Sequence, residues 1–336
     1  MIFVTGGTGL VGSHLLYHLS QKEEKIRALR RSVFSVKETE KVFSYYTSEP
    51  EKYLSRIEWV EGDILDFGSL LNAFENVDKV YHAAAVVSFD QQDADVVMET
   101  NITGTANVVN ACLEKKIKKL AYVSSVAALG RGRNNGVITE KTEWKPGQKN
   151  TVYALSKYEA EREIWRGMAE GLKIVIVNPT IILGPGNFDH GSSKMFQTVY
   201  NGLKVYTGGV NGYVDVNDVA KALILLMESN ISGEQYVLNG ENISYKKLFG
   251  MMAAALKVDP PKYKAGKLLS ELSWRILKIQ SVFTGKRPLI TKETAKTANS
   301  VFQYSNEKFK QTTGMRFTPI RETIQQTAQI FLKQQG

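Results

Sequence analysis

A tyrosine and a lysine lie four residues apart in the segment YALSK at 153–157. On a helix this spacing places Tyr153 and Lys157 on one face, within reach of a common ligand. A free tyrosine titrates at about pH 10 and is therefore a poor acid or base at neutral pH. Because a neighbouring ammonium favours the phenolate, we expect Lys157 to lower the pKa of Tyr153. The pair is a candidate for moving a proton to or from a substrate oxygen.

Two serines follow the strand predicted at 120–123, in the segment SSVAALG at 124–130. A hydroxyl at this position can hydrogen-bond a substrate oxygen as negative charge develops on it. Ser125 is the candidate for that role. The alternative is that the two serines only form a turn in the chain. Ser124 needs no role beyond that turn.

Glycines at positions 6, 9 and 12 lie in the segment TGGTGLVG at 5–12, between a predicted strand and a predicted helix. This context is typical of a dinucleotide-binding turn. In such a turn Gly6 permits the bend, Gly9 lets the backbone approach a pyrophosphate, and Gly12 lets the helix pack closely on the strand. The first amides of the helix then bind phosphate, favoured by the helix dipole. The alternative is a tight turn without a ligand. The predicted cofactor contacts also include the residues between the glycines, Thr8, Leu10 and Val11.

The residue after the second predicted strand, 25–29, distinguishes the two nicotinamide dinucleotides. An NAD-specific site has an acid there, roughly 20 residues beyond the glycines, to bind the ribose 2′-hydroxyl. This chain has Arg30 and then Arg31, and the next carboxylate is Glu38. A guanidinium can form a bidentate contact with a 2′-phosphate and stack on adenine. We therefore predict NADP(H) rather than NAD(H), the alternative being two solvated surface arginines.

Short apolar segments alternate with helical patterns over the first half of the chain. Strands are predicted at 1–4, 25–29, 57–60, 79–82, 120–123 and 173–177, and helices at 10–20, 95–115 and 153–170. This alternation predicts βαβ units and an α/β fold with a parallel sheet. Right-handed crossovers make the sheet doubly wound, with ligands bound at the carboxyl ends of the strands. The glycine turn and Ser125 should therefore meet at one edge of the sheet.

The alternation changes after LGPG at 183–186. A further strand-and-helix unit is predicted from 213 and another strand at 236–238, whereas the pattern after 241 is helical and basic. We divide the chain into a dinucleotide-binding domain, 1–188 and 213–240, and a smaller, mostly helical substrate lobe, 189–212 and 241–336. An apolar stripe at 268–283 is interpreted as a helix that packs on the body or lines the substrate cavity, with a membrane-surface helix as the alternative.

The composition limits the class of protein. The chain has 336 residues, 43% hydrophobic and 23% charged, which excludes a disordered tail, a collagen and a disulfide scaffold. The net charge of +9 is compatible with an anionic ligand, but no basic run with interleaved aromatic residues indicates nucleic acid. With one cysteine, Cys112, and four scattered histidines, no metal site is predicted. The sequence has no apolar run of about 18 residues, so we predict no stable membrane insertion. We expect a cytoplasmic protein.

Taken together, the motifs resemble the extended short-chain dehydrogenase/reductases, the NAD-dependent epimerase/dehydratase superfamily, over essentially the whole chain. The resemblance rests on TGGTGLVG at 5–12, GDILD at 62–66, HAAA at 82–85, the helix around Asn101, SSVAALG at 124–130, YALSK at 153–157, NPTIILGPG at 178–186 and YVDVNDVA at 213–220. The chain is most similar to the dihydroflavonol 4-reductase-like and 3β-hydroxysteroid dehydrogenase-like branch. This resemblance implies a Rossmann fold and a homodimer formed through the helices at about 95–115 and 153–170.

The resemblance also implies roles for individual residues. Ser125 matches the catalytic serine, Tyr153 the acid/base, and Lys157 its partner, which also binds the nicotinamide ribose. Asn101 is similar to a structural asparagine of the family. The other implied cofactor contacts lie at strand ends: Asp63 and Ile64 at adenine, Ala83 and Ala84 along the cofactor, and Pro179 and Thr180 at the nicotinamide.

Two positions differ from the sugar-nucleotide epimerases of the superfamily. Those enzymes usually carry an Arg-Asp-Tyr-like segment where this chain has NGY at 211–213, and they commonly keep an acid where it has Arg30. Both differences favour a reductase acting on a small or apolar carbonyl compound. Lys286 and Arg287 could still bind a diphosphate.

We therefore predict an NADP(H)-dependent oxidoreductase with a small carbonyl or alcohol substrate, in which Tyr153 gives a proton to the oxygen that Ser125 holds. Two alternatives stay open: a nucleotide-sugar epimerase or dehydratase, and a non-catalytic NADP-binding regulator. Away from this centre, His190 is a weaker substrate-contact candidate in the lobe, and we expect Asp218 to cap the helix that follows it.

Overall fold

A parallel sheet forms the centre of the chain in the computed structural model, which describes residues 1–22, 25–130, 136–145, 150–266 and 298–335. The described strands are β1 (Ile2–Thr5), β2 (Ile26–Arg30), β3 (Ile57–Glu61), β4 (Lys79–His82), β5 (Lys119–Val123), β6 (Ile174–Pro179), β7 (Ile181–Leu183), β8 (Val205–Thr207), β9 (Val210–Asp215), β10 (Glu234–Leu238), β11 (Glu241–Ser244) and β12 (Tyr263–Ala265). Seven of them make the main sheet in the order β10-β6-β5-β4-β1-β2-β3. All its pairs are parallel.

Helices cover both faces of this sheet. The described α-helices are α1 (Leu10–Ser20), α2 (Lys37–Ser44), α3 (Pro50–Leu54), α4 (Phe67–Ala73), α5 (Ala94–Met98), α6 (Gly104–Glu114), α7 (Val152–Ala169), α8 (Lys194–Tyr200), α9 (Val216–Glu228), α10 (Tyr245–Leu256), α11 (Glu307–Thr313) and α12 (Ile320–Gln335). Successive strand residues point to opposite faces, so Val4 packs with Leu16 and Leu223 of α1 and α9. Phe3 packs on the other face, with Val108 of α6. The doubly wound α/β sheet predicted from the sequence is confirmed.

The strand order reverses between β1 and β4. The chain first runs outward from β1 to β2 and β3, then returns to β4 on the other side of β1 and continues to β5 and β6. In doubly wound sheets the ligand lies outside the carboxyl ends of the strands at such a reversal. The fold therefore brings the glycine turn, the end of β4 and the end of β5 to one crevice.

Two predicted elements differ from the structure. The strand predicted from 213 belongs to β9, which pairs with β7 and β11 in a separate three-stranded sheet and not with the main sheet. The helix predicted at 95–115 is interrupted by a π-helical turn, Glu99–Thr103, between α5 and α6. The strand predicted at 236–238 does join the main sheet, as β10. The apolar stripe at 268–283, like Lys286 and Arg287, lies in 267–297, outside the described residues.

The second region has its own apolar core. Helices α8, α10 and α12 contribute Phe196, Leu248 and Phe331, all fully buried, to a cluster with Leu183 and Tyr213. The segments 189–212 and 241–336 thus share a core in their described parts, together with Leu183 and Tyr213, which the prediction placed in the dinucleotide-binding domain. The described lobe also contains strands, β8 and β12, which pair in parallel.

Candidate active site

The glycine turn has the geometry that dinucleotide binding needs. Gly6 adopts φ +68°, and a Cβ there would lie 2.5 Å from the main-chain nitrogen of Ala84. A Cβ on Gly12 would lie 2.0 Å from the carbonyl oxygen of Gly6, so only hydrogen fits between α1 and the turn. Gly9, in contrast, is exposed and occupies the N-cap position of α1. The first turn of α1 carries no acid, leaving its amides for a phosphate.

The other residues of the turn leave the surface beside Gly9 accessible to a ligand. Thr8, Leu10 and Val11 are all partly exposed beside Gly9. Ala83 and Ala84 follow β4, and their amides donate to the main-chain oxygen of Thr5 and to its Oγ1 at 3.3 and 3.2 Å. These bonds hold the end of β4 against the glycine turn. The cradle therefore fits a pyrophosphate and the sugar next to it.

Arg30 ends β2 beside this turn. Its Nε is buried and has no hydrogen-bond partner among the described residues, and Arg31 is exposed. An orphaned guanidinium nitrogen at this position fits an anionic group on the adenosine ribose. Glu61 of β3 pairs in register with Arg30, so a carboxylate also lies near this guanidinium.

The two residues predicted to contact adenine, Asp63 and Ile64, have different surroundings in the structure. Asp63 is partly exposed, and its Oδ1 already accepts from the amide of Leu65 at 2.9 Å. The side chain of Ile64 is buried against α6, where a Cβ on Gly104 would lie 2.5 Å from its Cδ1. Any contact of Ile64 with adenine would therefore come from its main chain.

Tyr153 and Ser125 come together at the carboxyl edge of the sheet. Ser125 follows β5, and its Oγ accepts from the amide of Ala127 at 3.1 Å. Tyr153 lies in the first turn of α7 and is 8% exposed. Burial raises the pKa of Tyr153, and interaction with the Ser125 hydroxyl opposes the rise. The ring of Phe89 lies edge-on to Tyr153, with 5.5 Å between centroids.

Lys157 lies one turn after Tyr153 on α7 and is almost fully buried. Its Nζ donates to the phenol of Tyr122 at 3.1 Å and to the carbonyl of Val123 at 2.9 Å. Burial lowers the pKa of Lys157 to about 7, and the charge of Glu161 opposes that change. The prediction that Lys157 lowers the pKa of Tyr153 is wrong for the described residues, because burial dominates and raises that pKa.

An asparagine and a glutamate hold the backbone of Ser125. Asn178 of β6 donates through Nδ2 to the carbonyl of Ser125 at 3.1 Å and also to the carboxylate of Glu161. Burial raises the pKa of Glu161 to about 7, and the nearby Ser124 hydroxyl and Asn178 amide oppose the rise. Ser124 thus interacts with Glu161 and not with a substrate.

Asn101 connects the loop after β4 to α7. Its side chain accepts from the amide of Val86 at 2.8 Å and donates to the carbonyl of Val86 at 3.0 Å and to Ser156 at 2.9 Å. It lies in the π-helical turn, a feature frequent at functional sites. The structural role predicted for Asn101 is confirmed. By these bonds it positions the loop that carries Phe89 over Tyr153.

The end of β6 closes the crevice. Pro179 ends that strand, and both it and Thr180 are buried. Thr180 Oγ1 is 3.2 Å from Oδ1 of Asn239. Their predicted position against a nicotinamide stays a prediction.

The sequence did not predict three residues of this site: Tyr122, Phe89 and Glu161. Glu161 had a usable signal, since it lies four residues after Lys157 on the same helical face. Phe89 lies in a loop and Tyr122 in a uniformly apolar strand, so neither carried a pattern. Asp218 does not cap α9, because Asp215 does so by accepting from the amide of Asn217, while Asp218 accepts from Thr318. His190 is exposed.

Other chemistry is not indicated in the described ranges. Over these residues no group of three or more His, Cys, Asp and Glu side chains is arranged to hold a metal ion. No described helix is long and apolar enough to cross a membrane. Cys112 is buried in the core, as predicted.

Comparison with known proteins agrees with this geometry. The family model of the NAD dependent epimerase/dehydratase family matches residues 2–239. A protein of Synechocystis sp., whose name provisionally assigns it as a dihydroflavonol 4-reductase, is 28% identical, with 96% of this chain and 92% of that protein covered. Cinnamoyl-CoA reductase 1 of Petunia hybrida is 26% identical, with 97% and 90% covered.

Solved structures share the fold over the whole chain. The crystal structure of gox2253 matches with a TM-score of 0.81 and 28% identity, covering 99% of this chain and 98% of that one. A UDP-glucose 4-epimerase of Thermotoga maritima matches with a TM-score of 0.77 at 20% identity, covering 100% and 99%. At that identity the second match shows the fold alone. The glycine turn, the Ser125, Tyr153 and Lys157 constellation and the family match lead to one conclusion: the chain belongs to the NAD-dependent epimerase/dehydratase family, within the extended short-chain dehydrogenase/reductases.

Proposed function

We propose that the chain is an NADP(H)-dependent oxidoreductase that reduces a carbonyl of a small or apolar substrate, or oxidises the corresponding alcohol. The observation that carries this proposal is the juxtaposition of Tyr153 and Ser125 under the apolar ring of Phe89. A phenol beside a hydroxyl suits protonation of a carbonyl oxygen. An aromatic ring over the phenol suits an apolar substrate better than a sugar diphosphate.

The chain's residues have separate parts in this reaction. NADPH, when bound in the glycine cradle, supplies hydride to the carbonyl carbon. Ser125 donates a hydrogen bond to the carbonyl oxygen, and Tyr153 transfers its phenolic proton to that oxygen, so that an alcohol forms. The raised pKa of Tyr153 keeps the phenol protonated at neutral pH, which favours its role as donor. Lys157 then returns a proton toward the tyrosinate.

The segment before α9 supports a reductase over a nucleotide-sugar epimerase. Asn211 is buried, and its Oδ1 accepts from the amide of Gly212 at 2.9 Å. A Cβ on Gly212 would lie 2.4 Å from Oδ1 of Asn239 and 2.6 Å from Cγ2 of Thr180. No charged pair equivalent to the epimerase Arg-Asp fits at these two positions. The names of two relatives, a dihydroflavonol 4-reductase and a cinnamoyl-CoA reductase, support the same assignment.

The reaction class is tested by incubating the protein with NADPH and a panel of aldehydes and ketones, both aryl and aliphatic. We expect net loss of NADPH absorbance with formation of the alcohol. Conversion of a UDP-sugar without net NADPH consumption would establish the epimerase alternative instead. Binding of NADPH with no turnover of any compound would favour the regulator.

We expect Arg30→Ala to weaken NADP binding by about 10- to 100-fold while changing NAD affinity no more than about threefold. The variant removes a charge-assisted contact to the 2′-phosphate, which contributes about 1.5–3 kcal/mol. NAD has no such phosphate. Fluorescence titration with both dinucleotides measures the two affinities.

The matched control is Arg162→Ala, which removes the same charge from an exposed position of α7. It should leave both affinities unchanged. If the protein binds NADP and NAD equally and Arg30→Ala changes neither, the NADP assignment is wrong. Glu61, the partner of Arg30 in register, would then be the residue to test for ribose binding.

We also propose a homodimer formed through the helices around 95–115 and 153–170. Val96, Leu155 and Met168 are 55%, 38% and 39% exposed on these helices, and a second copy would cover them. Sedimentation equilibrium would contradict this if it gave the monomer mass of 37.5 kDa at micromolar concentration. We also propose a cytoplasmic location, because the chain has one cysteine, the buried Cys112, and therefore does not depend on an internal disulfide. Fractionation of the source cells tests it.

A further inference from the structure

A row of buried polar groups lies below Lys157 and crosses the sheet to the glycine turn. Thr5 Oγ1 is 2.7 Å from Nδ1 of His82, and Nε2 of His82 is 3.0 Å from Oγ1 of Thr105. Thr105 in turn hydrogen-bonds the phenol of Tyr122, which accepts from Lys157. All five side chains are 2% exposed or less. None of the first four contacts the reacting atoms in the proposed reaction.

All hydrogen bonds of the row are satisfied when donation runs in one direction. Burial and the charge of Lys157 lower the pKa of His82 to about 3, so the imidazole is neutral and has one donor and one acceptor nitrogen. An ammonium only donates, so the phenol oxygen of Tyr122 accepts from Lys157 and its hydrogen is free to bond Thr105. Thr105 then donates to Nε2 of His82, and we assign the proton of His82 to Nδ1, which donates to Thr5.

Tyr122 also restricts the orientation of the ammonium. Lys157 has three N–H donors, and two of them are held by Tyr122 and by the carbonyl of Val123. Its Nζ also lies 4.8 Å from the centre of the Tyr122 ring, a favourable cation–π distance. With two acceptors fixed, the direction of the third N–H is fixed too. That donor has no partner among the described residues.

We propose that Tyr122 is a positioning residue for the reaction: held by Thr105 and His82, its phenol fixes the Lys157 ammonium so that the third N–H is available to Tyr153 and the nicotinamide ribose. The inference rests on the proposed function. It adds that the row from Thr5 couples the glycine turn to Lys157 through hydrogen bonds. The titratable groups that interact with Lys157 are Glu161 on α7, His82 on β4 and Tyr122 itself, and Tyr153 interacts with Tyr122.

The test is Tyr122→Phe, which keeps the ring and removes the hydroxyl. Lys157 then loses an acceptor that stabilises its charged form, so its pKa should fall by about one unit. NMR titration of protein labelled with ¹³C at lysine Cε measures this without turnover. In a carbonyl assay, the alkaline limb of kcat/KM should move to lower pH by the same amount, with about a tenfold loss at neutral pH.

Tyr236→Phe is the matched control, since Tyr236 is a buried tyrosine of β10 outside the row. It should shift neither the lysine titration nor the pH profile. If Tyr122→Phe does not fold, Thr105→Val breaks the row one bond further away and should give a smaller shift in the same direction.

The outcomes separate this inference from the proposed function. Unchanged lysine titration and pH profile in Tyr122→Phe, with normal wild-type turnover, would overturn the positioning role and leave the reductase intact. Absence of wild-type turnover together with the expected fall in the Lys157 pKa would overturn the reductase and support the hydrogen-bonded row.

Discussion

Tyr153→Phe is expected to lower kcat for carbonyl reduction by about 10²- to 10⁴-fold, the usual contribution of a positioned proton donor. The ring is retained, so the packing against Phe89 should survive, and NADPH affinity should change no more than a few fold. The loss should therefore fall on kcat and not on cofactor binding. Stopped-flow measurement of NADPH oxidation, with a separate titration of NADPH fluorescence, measures both quantities.

Tyr158→Phe is the matched control on the same helix. Its ring stacks on Trp144 at 4.4 Å with an interplanar angle of 8°, and the substitution preserves that stack. Turnover should stay within about twofold of the wild type. Equal activity of Tyr153→Phe and the wild type would contradict the mechanism, since no other phenol approaches Ser125 among the described contacts.

The sequence predicted the residues of the site better than their interactions. The strand at 79–82 and the glycine turn were predicted correctly because apolar runs and glycines carry local signals. The pairing of Tyr153 with Ser125 was implied by the family resemblance, whereas parallel topology predicted only that Ser125 and the glycine turn lie at the same edge of the sheet. The partners of Lys157 did not follow, because Tyr122 reaches it only when β5 packs against α7. Burial, which sets the pKa of Tyr153, is equally a property of the assembled fold.

In the region after residue 183, too, the sequence predicted an element but not its partners. The strand from 213 was predicted correctly as a strand but not placed in its sheet, because β-sequence patterns do not specify partners. Its pairing with β7 and β11 turns the NGY segment toward Thr180 and Asn239. Whether a lobe residue contacts substrate depends on that placement, so the substrate could not be identified from the motifs alone.

Gly12→Ala is expected to be the most damaging small substitution in the cofactor half of the chain. The added Cβ would lie 2.0 Å from the carbonyl oxygen of Gly6, 2.6 Å from its carbon and 2.9 Å from Cα of Gly7. All three are backbone atoms that cannot rotate away, so α1 must shift from the turn. Overpacking of this kind costs about 3 kcal/mol or more, which exceeds the gain of about 1 kcal/mol in helix propensity. Urea denaturation measures the net loss.

Gly250→Ala controls for helix propensity. It lies within α10 with nothing within 4 Å of the added Cβ, so the free energy of unfolding should rise by up to about 1 kcal/mol. If Gly12→Ala were instead as stable as the wild type, the close approach of α1 to the turn would be incorrect.

Gly9→Ala separates folding from cofactor binding. Its Cβ would meet only the carbonyl oxygen of Gly6, at 3.4 Å, which is ordinary contact, so stability should change by less than about 1 kcal/mol. A pyrophosphate against the exposed Gly9 backbone would collide with the new methyl group, and we expect NADPH affinity to fall at least tenfold. Gly12→Ala should lose stability and affinity together, because the first turn of α1 moves with the clash. Retention of full NADPH affinity by a folded Gly9→Ala would show that the phosphates lie elsewhere, whatever the stability of Gly12→Ala.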